Sequence, residues 1–181
     1  VGTLVLSLPT PFLERCNRDG AYLDVQFQAA GYDTVLTYSD NDSARQVNDI
    51  QNMLADGVDL LIVAAIDGEA LNTAMDEAAT AGVPVIAYDR LLMESDAVSY
   101  YATFDNYMVG QKQGEYIVEA LNLEEEEGPF NLEIVAGAPD DNNANFFYGG
   151  AMDVLQPYID EGKLVVKSGQ TEFEECATQA W

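Results

Sequence analysis

Residues 58–66 read VDLLIVAAI, and this stretch decides the fold. From Leu60 to Ile66 every residue is apolar, with none of the alternation of a half-exposed strand. A short continuous run of this kind, bounded by Gly57 and by Asp67-Gly68, suits a parallel strand buried on both faces. A strand buried in that way needs helices on either side, and the flanking sequence supplies them. Upstream, the polar turn SDNDS (39–43) carries capping residues, and apolar positions at Val47, Ile50, Met53 and Leu54 predict a helix closing at Gly57. Downstream, a helix is predicted over 71–81, ending at Gly82, and VPVIAYD (83–89) forms the next strand.

The same alternation extends outward in both directions. TLVLSL (3–8) is a strand, and 14–30 a helix with apolar residues at Tyr22, Leu23, Val25, Phe27 and Ala30 before Gly31. DTVLTY (33–38) and SYYATF (99–104) complete five predicted strands. A strand–turn–helix unit of about 25 residues thus recurs, which predicts an α/β, doubly wound, mostly parallel sheet. A helix over 107–121, the acidic run 124–127, NLEIVAG (131–137), a helix over 144–158 and KLVVKSG (163–169) begin a second series. A boundary near 104–106 follows, giving a first lobe over 1–104 and a second over 105–181. Two strands do not bury a full core alone, so the second lobe is expected to be incomplete in this chain.

Composition removes several functions. The 181 residues include 32 Asp or Glu, seven Lys or Arg and no His, a formal charge of −25. Binding a phosphate backbone needs clustered cations, so nucleic acid and anionic membranes are excluded as partners. Zinc hydrolases with His ligands and His-based triads are excluded as well. The longest apolar run, 60–66, falls far short of the roughly 20 residues a membrane-spanning helix needs. With 48% hydrophobic residues, the charge does not imply disorder. Cys16 and Cys176 lie far apart and outside any metal-ligand spacing, and nothing supports a disulfide between them. No G-x-G-x-x-G follows the first strand, and neither a Walker A pattern nor a G-x-S-x-G elbow occurs.

Ligands of open α/β sheets bind beyond the carboxyl ends of the strands. There this sequence puts Phe12, Glu14, Arg15 and Arg18 after strand one, Asp67 and Gly68 after strand three, and Asp89 and Arg90 after strand four. The run APDDNNAN places Asp140, Asp141, Asn142 and Asn143 after the first strand of the second series. Carboxylates, amides and guanidinium groups exchange hydrogen bonds well with neutral hydroxyls. Each element also has a purely structural reading. Asp89-Arg90 also reads as an internal ion pair or a helix-start pair, Asp140–Asn143 as an Asx turn with a helix cap, Arg15 as a solvated helix charge, and Phe146, Phe147 and Tyr148 as helix core.

Taken together, SDNDSARQVNDIQNML, GVDLLIVAAIDG, VPVIAYDRLLM, YYATFDN, GEYIVEAL and PDDNNANFFYGGAMDVLQPYIDEGKLVVKSGQ resemble the sugar-binding proteins of ABC importers, in the xylose and multiple-monosaccharide branch. The resemblance spans essentially the whole chain, which looks like the first three-fifths of such a protein. It implies a type I periplasmic-binding-protein fold, in which two lobes joined by three crossovers close on one sugar. It assigns sugar contacts to Arg15, Asp89, Arg90, Asp141 and Asn143, and a ring-stacking role to Trp181. One departure stands out: the family usually has ERW in the first loop, and this chain has ERC, so Cys16 replaces an aromatic wall unless Phe12 takes its place. Asp67 is a further candidate contact.

The function so implied is capture of an aldose such as xylose, glucose, galactose or arabinose and its delivery to a transporter permease. The expected location is outside the cytoplasm, either in a periplasm after signal-peptide cleavage or on a cell surface as a lipoprotein. Further partners of this class are a chemoreceptor or a sensor kinase. No cofactor, metal or enzymatic activity is expected. Two rivals remain. The effector domain of a LacI-type transcription regulator shares the fold. A Mg²⁺-dependent phosphotransfer enzyme would use Asp67, Asp89, Asp140 and Asp141, although an arginine beside the central carboxylate works against a cation there.

Overall fold

In the computed structural model, which describes residues 2–178, the first unit of the chain is a five-stranded sheet with the order β2-β1-β3-β4-β5. The strands are β1 (Thr3–Leu8), β2 (Asp33–Tyr38), β3 (Leu60–Val63), β4 (Val85–Tyr88) and β5 (Val98–Ala102). All four pairings are parallel. The connecting helices are α1 (Glu14–Ala29), α2 (Ser43–Ala55) and α3 (Asn72–Ala81). This is the doubly wound arrangement that the alternating sequence predicts, with β1 next to β3 at the point where the strand order reverses.

The run that decided the fold is indeed the central one, but its ladder is shorter than 58–66. β3 itself covers Leu60–Val63, while Leu61 to Ile66 are all buried. The reason is polar. The side chain of Gln46, fully buried on α2, donates from Nε2 to the Ala64 carbonyl (2.9 Å) and accepts at Oε1 from the Ile66 N–H (2.9 Å). It also donates to Ser7 Oγ on β1 (3.2 Å). A side chain thus takes over at Ala64 and Ile66 where a neighbouring strand would otherwise serve the backbone. The core beneath joins Val5, Ile50, Leu61, Val63, Leu71, Met75 and Val85.

The chain divides into two units, Val1–Thr103 and Phe104–Trp181. The second contains α4 (Asn106–Ala120), β6 (Phe130–Leu132), α5 (Asn142–Asp160), β7 (Leu164–Val166) and a short α6 (Phe173–Thr178). β6 and β7 form a parallel two-stranded sheet. Here the strands are shorter than their apolar runs suggest. The stretch after Leu132 finds other partners: Ser168 N–H donates to Glu133 Oε1 (2.9 Å), and Ala136 N–H to the Cys176 carbonyl (3.3 Å). The α6 turn has no counterpart in the sequence reading.

Helices α4 and α5 cross at very close range. A Cβ built on Gly110 would lie 2.2 Å from the Phe147 carbonyl oxygen, and one on Gly150 would lie 2.1 Å from the Tyr107 oxygen. Both obstacles are backbone, so neither can swing aside, and only glycine fits at either crossing point. The apolar cluster of this unit gathers around Leu123, Leu155 and Leu164.

Candidate functional site

In the first unit, the carboxyl edge of the sheet collects several of the sequence-predicted residues. Arg15, in the first turn of α1, reaches Asp89 just beyond β4, with Nη2 2.6 Å from Oδ1. Its Nε lies 3.5 Å from Oδ2 of Asp19, one helical turn on. The same Asp19 oxygen accepts the Tyr88 hydroxyl at 3.0 Å. A continuous network, Tyr88–Asp19–Arg15–Asp89, therefore joins α1 to the end of β4. The hydrogen bond that Arg15 donates to Asp89 raises its already high pKa, so the guanidinium stays charged throughout the ordinary pH range. Tyr88 is pushed up by its burial and, next, by its bond to Asp19, so its hydroxyl remains a donor.

The structure pairs Asp89 with Arg15, across two elements. Arg90 instead donates from Nη1 to the carbonyls of Ile66 (3.0 Å) and Ala65 (3.3 Å). It thereby grips the segment that Gln46 also holds. Asp67 follows directly and accepts the N–H groups of Glu69 (2.9 Å) and Ala70 (3.1 Å), an Asx turn leading into α3.

Asp89 has a left-handed backbone with φ 64°, a conformation that non-glycine residues avoid. Its N–H donates to the Ala102 carbonyl at 2.8 Å. Its own carbonyl accepts the hydroxyls of Thr103 (3.0 Å) and Tyr101 (3.1 Å). Strain of this kind is kept where surrounding contacts over-determine it, and such positions cluster at ligand sites.

Cys16 lies beside this network, half-buried, and its thiol is pushed up by burial against the opposing pull of Arg15 and Arg90. Phe12 is 88% exposed on the loop after β1. Cys16 and Cys176 are both free thiols.

In the second unit, Asp141 and Asn143 occupy the start of α5. Asp141 is the N-cap and accepts the Asn143 N–H at 3.0 Å. The buried Asn143 side chain accepts at Oδ1 from Nδ2 of Asn106, the first residue of α4, at 2.9 Å. The helix-cap reading of this motif is therefore realised, and the carboxylate and amide are fixed in direction by it. Trp181 lies outside the described residues. Arg15 with Asp89, and Arg90 with the loop preceding Asp67, are brought together in one unit, and Asp141 with Asn143 in the other.

Sequence reasoning missed Asp19, Gln46, Asn106 and the hydroxyls of Tyr88, Tyr101 and Thr103. A signal existed for Gln46: it shares the apolar spacing of Ile50 and Met53 along α2, and a polar residue on a core-facing stripe asks for buried partners. Asp19 stands four residues after Arg15, the spacing of neighbours on a helix surface. The hydroxyls gave no signal, because their partners, the Asp19 carboxylate for Tyr88 and the Asp89 carbonyl for Tyr101 and Thr103, lie well away in sequence.

Comparison with known proteins identifies the family. Residues 12–180 match the family described as "Periplasmic binding protein domain". The chain is 50% identical over 180 residues to the multiple sugar-binding periplasmic receptor ChvE of Rhizobium radiobacter, covering 99% of this chain and 51% of that protein. It is 33% identical to the D-xylose-binding periplasmic protein of Escherichia coli K12, over 87% of this chain and 46% of the relative. Among solved structures, an ABC transporter solute binding protein from Clostridium phytofermentans with bound β-D-glucose superposes with a TM-score of 0.95 at 58% identity. That match covers 97% of this chain and 54% of the other. The chain thus spans about half the length of these relatives. With the α/β topology and the motif-based resemblance pointing the same way, the chain belongs to the periplasmic binding protein domain family, with the type I fold of its sugar-binding members.

Proposed function

We propose that the protein is an extracytoplasmic solute-binding protein. It captures a monosaccharide between two lobes and delivers it to the permease of an ABC importer. The observation that carries this reading is the Arg15–Asp89 pair, held at the carboxyl edge of the sheet by Asp19, Tyr88 and a left-handed Asp89 backbone. A fixed carboxylate beside a permanently charged guanidinium offers an acceptor and donors to the vicinal hydroxyls of a pyranose. Sugar contacts are assigned to Arg15, Asp89, Arg90, Asp141 and Asn143, with Trp181 as stacking surface and with Phe12, Cys16 and Asp67 as further contacts. Similarity to a multiple sugar-binding receptor, a xylose-binding protein and a glucose-bound structure supports an aldose as ligand.

Binding of this kind involves no covalent step. The ligand shifts the protein toward a closed form, and the transporter, or a chemoreceptor or sensor kinase, distinguishes that form from the open one. Export by a cleaved signal peptide or anchoring as a lipoprotein accords with the extracytoplasmic assignment. The test is a calorimetric titration of the protein, expressed from its complete reading frame, with xylose, glucose, galactose and arabinose. Saturable heat with at least one aldose is expected, and silence with all four sinks the reading.

A further inference from the structure

The network at Asp89 reaches beyond the ion pair, because the groups that hold its backbone come from the last residues of the first unit. β5 ends at Ala102, and the unit itself ends at Thr103. The Ala102 carbonyl takes the Asp89 N–H, and the Thr103 and Tyr101 hydroxyls both donate to the Asp89 carbonyl. On the other side of the turn, Arg90 N–H donates to the Tyr88 carbonyl at 2.7 Å. An aspartate left to itself would leave the left-handed region. Here both of its backbone polar groups are claimed by three successive residues, the last two of β5 and Thr103 just beyond it, so the strand end and the turn are stapled at one residue.

We propose that Thr103 and Tyr101 are positioning residues for Asp89. Their hydroxyls hold its left-handed turn and so aim its carboxylate at Arg15. They also tie that carboxylate to the segment by which the chain leaves the first unit. A displacement of that segment is then felt at the Asp89 side chain, and occupancy of the side chain is felt at the segment. This rests on the reading of Asp89 as a ligand contact, but the staple itself can be tested without ligand.

The ligand-free arm is a stability cycle between Thr103→Val and Asp89→Gly. Thr103→Val is expected to lower the unfolding midpoint of the first unit by about 3 °C in the otherwise unaltered protein. In the Asp89→Gly background it should lower it by less than half as much, since glycine keeps a positive φ unaided. Equal shifts in both backgrounds overturn the staple. The ligand arm titrates D-glucose. Thr103→Val is expected to weaken binding about fivefold, while Thr103→Ser, which retains the donor, stays within about twofold. Tyr101→Phe should act in the same direction as Thr103→Val. Equal losses from Val and Ser at position 103 overturn the positioning role. If the unaltered protein ignores glucose and the other aldoses, the functional reading falls, and the stability cycle alone decides the staple.

Discussion

In the first unit the chain beyond the strands is held by polar side chains, whereas in the second the two long helices meet where side chains are missing. Gln46 and Arg90 both clamp residues 64–66, and Thr103 and Tyr101 hold the turn at Asp89. By contrast, α4 and α5 rely on the bare backbones of Gly110 and Gly150. The lesson concerns tolerance. A polar clamp fails when a donor or acceptor is removed and a buried partner is left unsatisfied. A glycine crossing fails when one carbon is added, because two helix backbones must then separate.

The largest effect is therefore expected in the second unit. Gly150→Ala should destabilise it by about 3 kcal/mol, since the new methyl meets the Tyr107 carbonyl. Hydrogen exchange resolved along the sequence should show α4 and α5 losing protection while β1 to β4 keep theirs. Protection lost evenly over both units would break the contrast. Next comes Gln46→Leu, which fills the space but abandons Ala64 and Ile66. A loss of about 2 kcal/mol is expected in denaturant unfolding, expressed in the first unit. A neutral result would show that packing, and not the clamp, holds that segment.

The smallest effect compares the two cysteines. Burial raises both thiols, but Arg15 and Arg90 pull Cys16 back, whereas Glu175, Glu172 and Glu133 push Cys176 further up. Cys16 is half-buried and Cys176 fully buried. Cys16 should be alkylated about tenfold faster, and both rates should rise as pH passes above the ordinary thiol range. A folded-state thiol that titrates above its unfolded value contributes stability below that range and loses it as pH rises through the folded value. Peptide mapping after brief iodoacetamide treatment reads the two sites separately, and faster labelling of Cys176 would contradict the placement.

How much of this was legible in the sequence follows from where each signal resides. Apolar periodicity and continuous β-branched runs reflect burial, and burial sets the sheet, so VDLLIVAAI gave the central strand. Strand ends depend on who satisfies the backbone, which is why β3 stops before Gln46 takes over and β6 stops at Leu132. Local caps were readable as well: Asp42 and Asp141 accept N–H groups only two or three residues ahead. The pairing of Arg15 with Asp89, against the equally simple Asp89-Arg90 pair, was not readable. It depends on the sheet bringing the first turns of α1 within side-chain reach of the end of β4, and on the turn that directs Asp89 toward them. The tight crossing of α4 and α5 was hidden for a related reason, since a glycine in a helix shows its purpose only when a second backbone arrives.

The central claim is that the Asp89 carboxylate, fixed beside Arg15, holds a sugar. Its most direct test is a calorimetric titration of Asp89→Ala against an aldose that the unaltered protein binds, with circular dichroism and the unfolding midpoint recorded on the same samples. Removing a partly buried, charge-paired ligand group is expected to cost about a hundredfold in affinity, about 3 kcal/mol. The fold should remain intact, because alanine removes no core contact. An Asp89→Ala protein that is folded and binds the sugar as before would contradict the account.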